Sequence, residues 1–505
     1  MYKNEEQFHE TALHVQHLPE YPRLLNAQAL EEIFASCTDF QQRQVRFGLN
    51  PEKVITVFWL DGLVSGKLVA EEVIRPLTDA LRMLPADTAQ QSLALVLSGG
   101  VYSCAAKARD TVDDVVQDLT HGGCVLVFDS LCRAVSFEVR SESGRAVSEP
   151  TLEKSLKGAR DSFVEMLRVN TALVRRRLCT PKLKVVENQI GRKSHTAVAM
   201  LFLEDVAAPE TVQELANRLD ALDIDALLAT GILEEAVVDA PRSPFPQLLH
   251  TERPDRFAQY LADGRVGLLI DGLPIGLVLP VTLAEFMKVS GDLSSNYLVS
   301  SALTVLRYGA LLLSMLLPAI YVAIALYHQE MLPTRLLLSV IEAKQDVPFS
   351  TALEVLGMLI SFELLQEAGL YLPNPIGDTV SIIGALIVGQ SAVEARVVSP
   401  IAIIVVAFSG IAGYTLPSQD LGSAMRLLRF GLVLAAIVGG LFGVGAALCL
   451  VLLHLAGMDS FGINYTAPLS DDQPLGLTRL LLRVPKRENR FRDPALHTPD
   501  KRRQA

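Results

Sequence analysis

The chain has 505 residues, of which 50 % are hydrophobic and 20 % are charged, and its formal net charge is −11. This length predicts two or three domains, and the negative charge argues against nucleic acid as a partner, because phosphate binding needs a basic surface. Nearly all of the long apolar runs lie between residues 302 and 457, which indicates a membrane domain behind a large water-soluble region.

The six cysteines form no Cys-x-x-Cys pair and have no regular spacing, so the sequence predicts neither a zinc site nor a disulfide framework. The N-terminal stretch carries early acids and no apolar core segment, which argues against a signal peptide and favours a cytoplasmic front half. P-loop, His-Glu-x-x-His and Gly-x-Ser-x-Gly motifs are absent from the sequence. We therefore expect a protein that is not an enzyme and that needs no metal or cofactor.

The front half divides into a polar extension and two mixed regions. Residues 1–45 are polar and predict only helical or loosely ordered structure. β-branched runs with helical stretches between them predict one α/β subdomain over 46–150 and a second over 151–295. An apolar segment ends the second subdomain, but Asp271-Gly272 between its two runs predicts a β-hairpin and not a membrane span. The predicted fold class is an α/β soluble N-terminal region of two subdomains followed by an all-α polytopic membrane domain.

The helical membrane domain is predicted over residues 296–457. Its apolar runs are long enough to cross the hydrocarbon core of a bilayer. Four spans are predicted, near 305–327, 376–393, 397–416 and 430–456.

A basic tail follows over residues 458–505, in which nine Lys or Arg stand against three acids after Gln473. The positive-inside rule places this tail in the cytoplasm together with the front half, so the number of crossings is even. The four predicted spans then put Arg426 and Arg429 outside, against the same rule. We give more weight to the larger charge cluster in the tail.

One further helix candidate, near 351–370, carries three acids. An ionised acid near the bilayer centre costs about 3 kcal/mol, so a lipid-facing span with three of them is disfavoured. Glu363 and Glu367 share one helix face, whereas Glu354 points to the opposite side. Two alternatives stay open: an amphipathic helix at the membrane surface with solvated acids, or a re-entrant element whose polar lining has a function.

Small residues recur every four positions on two predicted membrane helices. This spacing allows close helix contact in lipid, so we expect tight packing, either within one chain or between copies. The residues are Gly377, Ser381, Ala385 and Gly389 on one helix, and Ala435, Gly439, Gly443 and Ala447 on the other.

Several long blocks occur in a fixed order, among them "DIDALLATGILEEAV", "SPFPQLLHTERPDRFAQYLADGRVGLLIDGLPIGLVLP", "SFELLQEAGLYLPNPIGDTVSIIGALIVGQ" and "DSFGINYTAPL". These blocks resemble the A subunit of GerA-type spore germinant receptors. The resemblance implies a polytopic protein in the lipid of the spore inner membrane, which senses nutrients together with a transporter-like B subunit and a lipoprotein C subunit. It also implies a homo-oligomer that passes monovalent cations when triggered.

With that resemblance, acids beside a glycine-rich membrane helix favour a cation path, because carboxylates offset part of the dehydration cost of an entering ion. An apolar surface next to them would close the path by dewetting. A membrane-anchored scaffold without conduction and a secondary transporter stay open as alternatives, although the internal repeat typical of transporters is not visible. The predicted path residues are Glu354, Glu363, Glu367, Asp378, Thr379 and Gln390, and the predicted gate residues are Ile382, Ile383, Leu386 and Ile387.

Overall fold

Two five-stranded antiparallel sheets are followed by a helical region, which confirms the expected order of a mixed front half and a helical second half. A computed structural model describes residues 20–21, 23–46, 54–79, 88–101, 105–141, 150, 153, 158–371, 387–469, 476–485 and 487–503.

The first sheet has the strand order β1-β2-β4-β5-β3, and its central strand β4 is buried along its whole length. Part of the predicted polar extension belongs to this unit, because the side chains of Leu25, Leu30 and Phe34 are buried in its core. The strands are Phe40–Arg46 (β1), Val54–Leu60 (β2), Ala106–Arg109 (β3), Gly123–Phe128 (β4) and Arg133–Glu138 (β5), and the helices are Ala27–Ile33 (α1), Ala89–Leu95 (α2) and Val112–Thr120 (α3).

The second sheet has the order β6-β7-β9-β10-β8. Its strands are Leu183–Ile190 (β6), Thr196–Leu203 (β7), Leu249–Thr251 (β8), Val266–Ile270 (β9) and Gly276–Leu279 (β10), and its helices are Leu167–Arg175 (α4), Pro209–Asp220 (α5), Thr230–Val237 (α6) and Pro254–Ala262 (α7). Strands β9 and β10 pair antiparallel, so the predicted hairpin is confirmed. Gly272 in its loop has a φ of 84°, which glycine adopts at no steric cost. The preceding Asp271 accepts a hydrogen bond from the N–H of Leu167 at the start of α4.

A buried ion pair joins the two sheet units. Arg175 at the end of α4 donates two hydrogen bonds to Asp39, which directly precedes β1. Both side chains are inaccessible to solvent, so the pair avoids the cost of an isolated buried charge only while the two units stay together. A basic residue at the end of a helix usually interacts with the negative end of the helix dipole. Arg175 instead pairs with Asp39 of the first sheet unit.

The helical region contains five long helices in the described residues: Tyr297–Tyr327 (α8), Thr334–Lys344 (α9), Thr351–Tyr371 (α10), Pro400–Tyr414 (α11) and Gln419–Ala456 (α12). Helices α8 and α12 are long and apolar enough to cross a membrane, and α11 is apolar but shorter. Most of the predicted span 376–393 lies outside the described residues.

The helices run between a near end, which faces the second sheet, and a far end. Helix α8 starts at the near end, where Arg307 binds Asp292 with an N–O distance of 2.7 Å, and it reaches the far end at Tyr327. Helices α10 and α11 lie parallel to each other, because Glu354 near the start of α10 bonds Ser399 before α11, and Gln366 near its end bonds Tyr414. Helix α10 is therefore packed along the other helices.

Helix α12 folds back on itself at Gly440. Near its start, Asp420 and Ser423 face a loop that contains Ser243 and Phe245. Near its end, the imidazole of His454 lies 2.8 Å from the hydroxyl of the same Ser243. The 34 residues from Asp420 to His454 would span about 51 Å in a straight helix, so both ends can meet one loop only if the helix reverses.

The reversal occurs at one residue. Gly440 has φ 57° and ψ −141°, a backbone conformation that is open almost only to glycine. It lies at the far end against Tyr327 and His328, and the Tyr327 hydroxyl donates a 2.7 Å hydrogen bond to the Ile437 carbonyl. The predicted span 430–456 therefore starts inside one arm of a helical hairpin and includes its turn.

We expect Tyr327→Phe to weaken this turn. The variant keeps the ring but leaves the Ile437 carbonyl without that donor, which should lower the free energy of unfolding by about 1 kcal/mol. Thermal unfolding of the purified chain in detergent measures the change. Tyr297→Phe, at the exposed start of α8, is the matched control and should be neutral.

The basic tail packs against the second sheet unit. The Arg503 guanidinium pairs with Asp263 after α7, and Arg492 donates a 3.1 Å hydrogen bond to the Ala262 carbonyl. Thr498 is buried against Gly264. The tail and the second sheet unit thus lie on the same side of the helical region.

Candidate functional site

Polar side chains form two clusters among the apolar helices. In the far-end cluster, the side chain of Glu354 is fully buried and accepts hydrogen bonds from the Ser399 N–H at 3.1 Å and from the Ser399 hydroxyl at 2.8 Å. The ammonium group of Lys344 lies 3.4 Å from the second carboxylate oxygen. Ser399 is the N-cap of α11, so Glu354 also lies at the positive end of that helix dipole.

The near-end cluster is centred on Glu363 in the middle of α10. Its carboxylate is 3.0 Å from the Arg426 guanidinium and 3.6 Å from the Arg429 guanidinium, both of α12. Arg429 is almost completely buried and also donates a 3.4 Å hydrogen bond to the Ser409 hydroxyl of α11. One acid and two bases thus connect three helices.

Arg426 and Arg429 lie toward the near end, on the side of the second sheet. This placement differs from the expectation that they lie on the opposite side from the front half. The reason is the course of the chain: α10 runs from the far end to the near end, so it adds a passage that the four predicted spans do not include.

The third acid of α10 differs from the other two. Glu367 is exposed, as is Gln390 in the π-helical turn Ile387–Ser391. The structure therefore separates the three acids of α10 into one buried acid, one paired acid and one exposed acid. The other proposed path and gate residues, Asp378, Thr379, Ile382, Ile383 and Leu386, lie outside the described residues, as does the side chain of Ile387.

The small residues of α12 lie around its turn. A Cβ on Gly443 would lie 2.2 Å from the Ala435 carbonyl oxygen, so these two residues pack against each other across the hairpin. A Cβ on Gly439 would meet no described atom within 4 Å, and the same holds for Gly389. Ala447 is partly buried against the common core, and Gly377, Ser381 and Ala385 lie outside the described residues. A bulky residue at position 443 would thus disturb the chain's own turn before it reached another copy.

Sequence reasoning missed the roles of Arg429, Gly440 and His250. Arg429 had a usable signal, because a basic residue inside an apolar helix needs an acidic partner and α10 offers three acids. His250 binds Asp420 across the junction between β8 and α12, a contact between residues 170 positions apart. Within the described part of the chain, no group of three or more His, Cys, Asp or Glu is placed to hold a metal ion.

The family model of the Bacillus/Clostridium GerA spore germination protein matches residues 28–495. The uncharacterized membrane protein YfkQ of Bacillus subtilis (strain 168) is 36 % identical over 464 residues, which are 91 % of this chain and 88 % of that protein. Spore germination protein B1 of the same strain is 32 % identical over 91 % of this chain and 94 % of that protein. The crystal structure of the N-terminal domain of the A subunit of the Bacillus megaterium spore germinant receptor GerK3 has 26 % identity and a TM-score of 0.42, and it covers 52 % of this chain and 98 % of that chain.

Proposed function

The chain belongs to the GerA family of spore germination proteins, and on that premise we propose that it is a nutrient germinant receptor A subunit that oligomerises into a ligand-gated path for monovalent cations. The family match over residues 28–495 supports the receptor role. The observation that carries the cation path is the exposed carboxylate of Glu367 on a helix whose other two acids are held by internal partners.

The three acids of α10 have two different roles in this proposal. Glu354 and Glu363 fix the helix to α11 and α12, because their charges are balanced by Lys344 and by the two arginines. Glu367 keeps a carboxylate available to attract an entering cation. Asp378, Thr379 and Gln390 extend this polar lining in the proposal, and Ile382, Ile383, Leu386 and Ile387 form its apolar gate.

The proposed location is the spore inner membrane, with the front half and the tail in the cytoplasm. Contacts of the tail with α7 support a common side for both parts, and the basic residues of the tail favour the cytoplasmic side. The name of the relative YfkQ and the two long apolar helices support the membrane location.

The proposed partners are further copies of this chain, a transporter-like B subunit and a lipoprotein C subunit. Large apolar side chains are exposed along the helices, which lipid or neighbouring subunits would cover, among them Leu312 of α8, Ile411 of α11, and Val438 and Phe442 of α12. Crosslinking of the chain in native membranes tests the homo-oligomer directly.

Potassium release from liposomes that contain the purified full chain tests conduction. We expect Glu367→Gln together with Asp378→Asn to lower the flux several-fold, because the double variant removes two charges that attract cations without breaking the pairs of Glu354 and Glu363. Glu210→Gln, an exposed acid at the start of α5, is the matched control and should leave the flux unchanged.

A wild-type flux in the double variant would overturn the proposed path. If the wild-type chain itself releases no potassium while it still assembles, the scaffold alternative gains support. Saturable exchange of a small solute would instead favour a transporter.

A further inference from the structure

Three segments meet where the second sheet touches the first turn of α12. His250 of β8 lies between two carboxylates, with Nδ1 2.9 Å from Asp420 of α12 and Nε2 3.6 Å from Glu234 of α6. A cavity of about 450 Å³ adjoins this contact, and Glu234 and Asp420 are part of its wall. The junction is thus a charged contact with open space beside it.

His250 is the basic side chain of this junction. Asp420 faces it from α12 and Glu234 faces it from α6, and Glu235 adds a further negative charge beside Glu234. No Lys or Arg is among the described residues that line the cavity. A protonated imidazole donates from both ring nitrogens and can serve both carboxylates, whereas a neutral imidazole has one N–H and serves only one of them.

We propose that protonated His250 is a tether that holds the second sheet unit against the start of α12, and that loss of its proton releases this junction. The role of the tether rests on the proposed function, in which α12 holds α10, the helix that carries Glu367 of the proposed cation path. Asp420 lies six residues, less than two helical turns, before Arg426, so a displaced first turn would act directly on the arginines that hold Glu363. The tether thereby connects the soluble half to the polar cluster of the helices.

The direction of the pH dependence follows from the surroundings. Burial alone would lower the pKa of His250, but the hydrogen bond to Asp420 and the charges of Asp420 and Glu234 outweigh burial and raise this pKa above its ordinary value of about 6.5. His250 therefore contributes its full stabilisation to the junction when the pH is below the ordinary pKa of histidine. This contribution is lost as the pH rises through the raised pKa of His250 in the closed junction. Burial also raises the pKa of Glu234, so on the acidic side the tether loses this partner charge.

Amide hydrogen exchange of the full chain in liposomes tests the tether. Protection of residues 249–251 and 419–427 is compared across pH in the wild type, in His250→Gln and in His250→Arg. Comparison at equal pH cancels the intrinsic pH dependence of exchange. We expect wild-type protection at the junction to fall by about tenfold per pH unit between the ordinary and the raised pKa of His250, relative to His250→Arg, which keeps a positive charge.

His250→Gln should show low protection over the whole window without a step. A wild-type profile that runs parallel to that of His250→Gln would overturn the tether, as would a step that persists in His250→Arg. Because protection is read at the junction itself, a chain that conducts no cation still gives a decisive result. Failure of the proposed conduction is read separately, as absent potassium release.

Discussion

Replacing Gly440 with alanine is expected to destabilise the hairpin of α12 and to lower the free energy of unfolding of the helical region. At φ 57° and ψ −141°, a residue with a Cβ carries backbone strain of about 1–3 kcal/mol. The added Cβ would also lie 3.1 Å from atoms of both Tyr327 and His328, which is closer than an ordinary van der Waals contact. Thermal unfolding in detergent measures the loss, and the junction of His454 with Ser243 should open with it.

The neighbouring Gly439 provides a matched control. It precedes the turn, and a Cβ at this position would meet no described atom within 4 Å. Alanine in a helix is favoured over glycine by about 1 kcal/mol, so Gly439→Ala should be neutral or stabilising. Equal effects of the two substitutions would show that α12 does not reverse at Gly440.

The position of this turn could not be predicted from the sequence. Glycine is common in membrane helices, so Gly439, Gly440 and Gly443 predict close packing in general but do not mark which one leaves the helical conformation. The sequence pattern located the soluble sheets through their β-branched runs and the β9–β10 hairpin through Asp271-Gly272, because these signals are local. The residue that packs against the turn, Tyr327, lies 113 residues before Gly440, so no local signal connects the two.

The charge pattern of the sequence does not show which charges are paired, and the expected side of Arg426 and Arg429 differs from the structure because α10 was not counted as a passage. The positive-inside rule treats Lys and Arg as free charges near the membrane surface. In the structure, Arg429 forms an ion pair with Glu363 inside the helical region. Arg492 and Arg503 of the tail bind the second sheet unit. Such pairs join residues far apart in the chain, so the sequence shows the acids and the bases but not which of them are already paired.

We expect Glu363→Ala to be among the most damaging single substitutions in the helical region. It removes the acid that faces Arg426 and Arg429, and Arg429 has a side chain that is only 6 % exposed. An uncompensated buried charge costs about 3–5 kcal/mol, so this variant should unfold at a clearly lower temperature in detergent. Glu367→Ala, one turn later on the same helix and exposed, is the matched control and should change the free energy of unfolding by less than about 0.5 kcal/mol.

A double substitution distinguishes two causes of the lost stability: the unpaired charge of Arg429 and the loss of other contacts of Glu363. If the damage comes from the unpaired arginine, Glu363→Ala combined with Arg429→Met should recover most of the lost stability, because the buried charge is then removed with its partner. If the double variant is as unstable as the sum of the two single ones, Glu363 acts through other contacts. The result also decides how the proposed conduction is tested. A variant that neutralises Glu363 loses the fixation of α10 to α12, so reduced potassium release in it would report damaged packing. Reduced release in Glu367→Gln would instead report the charge that the proposed path offers to cations.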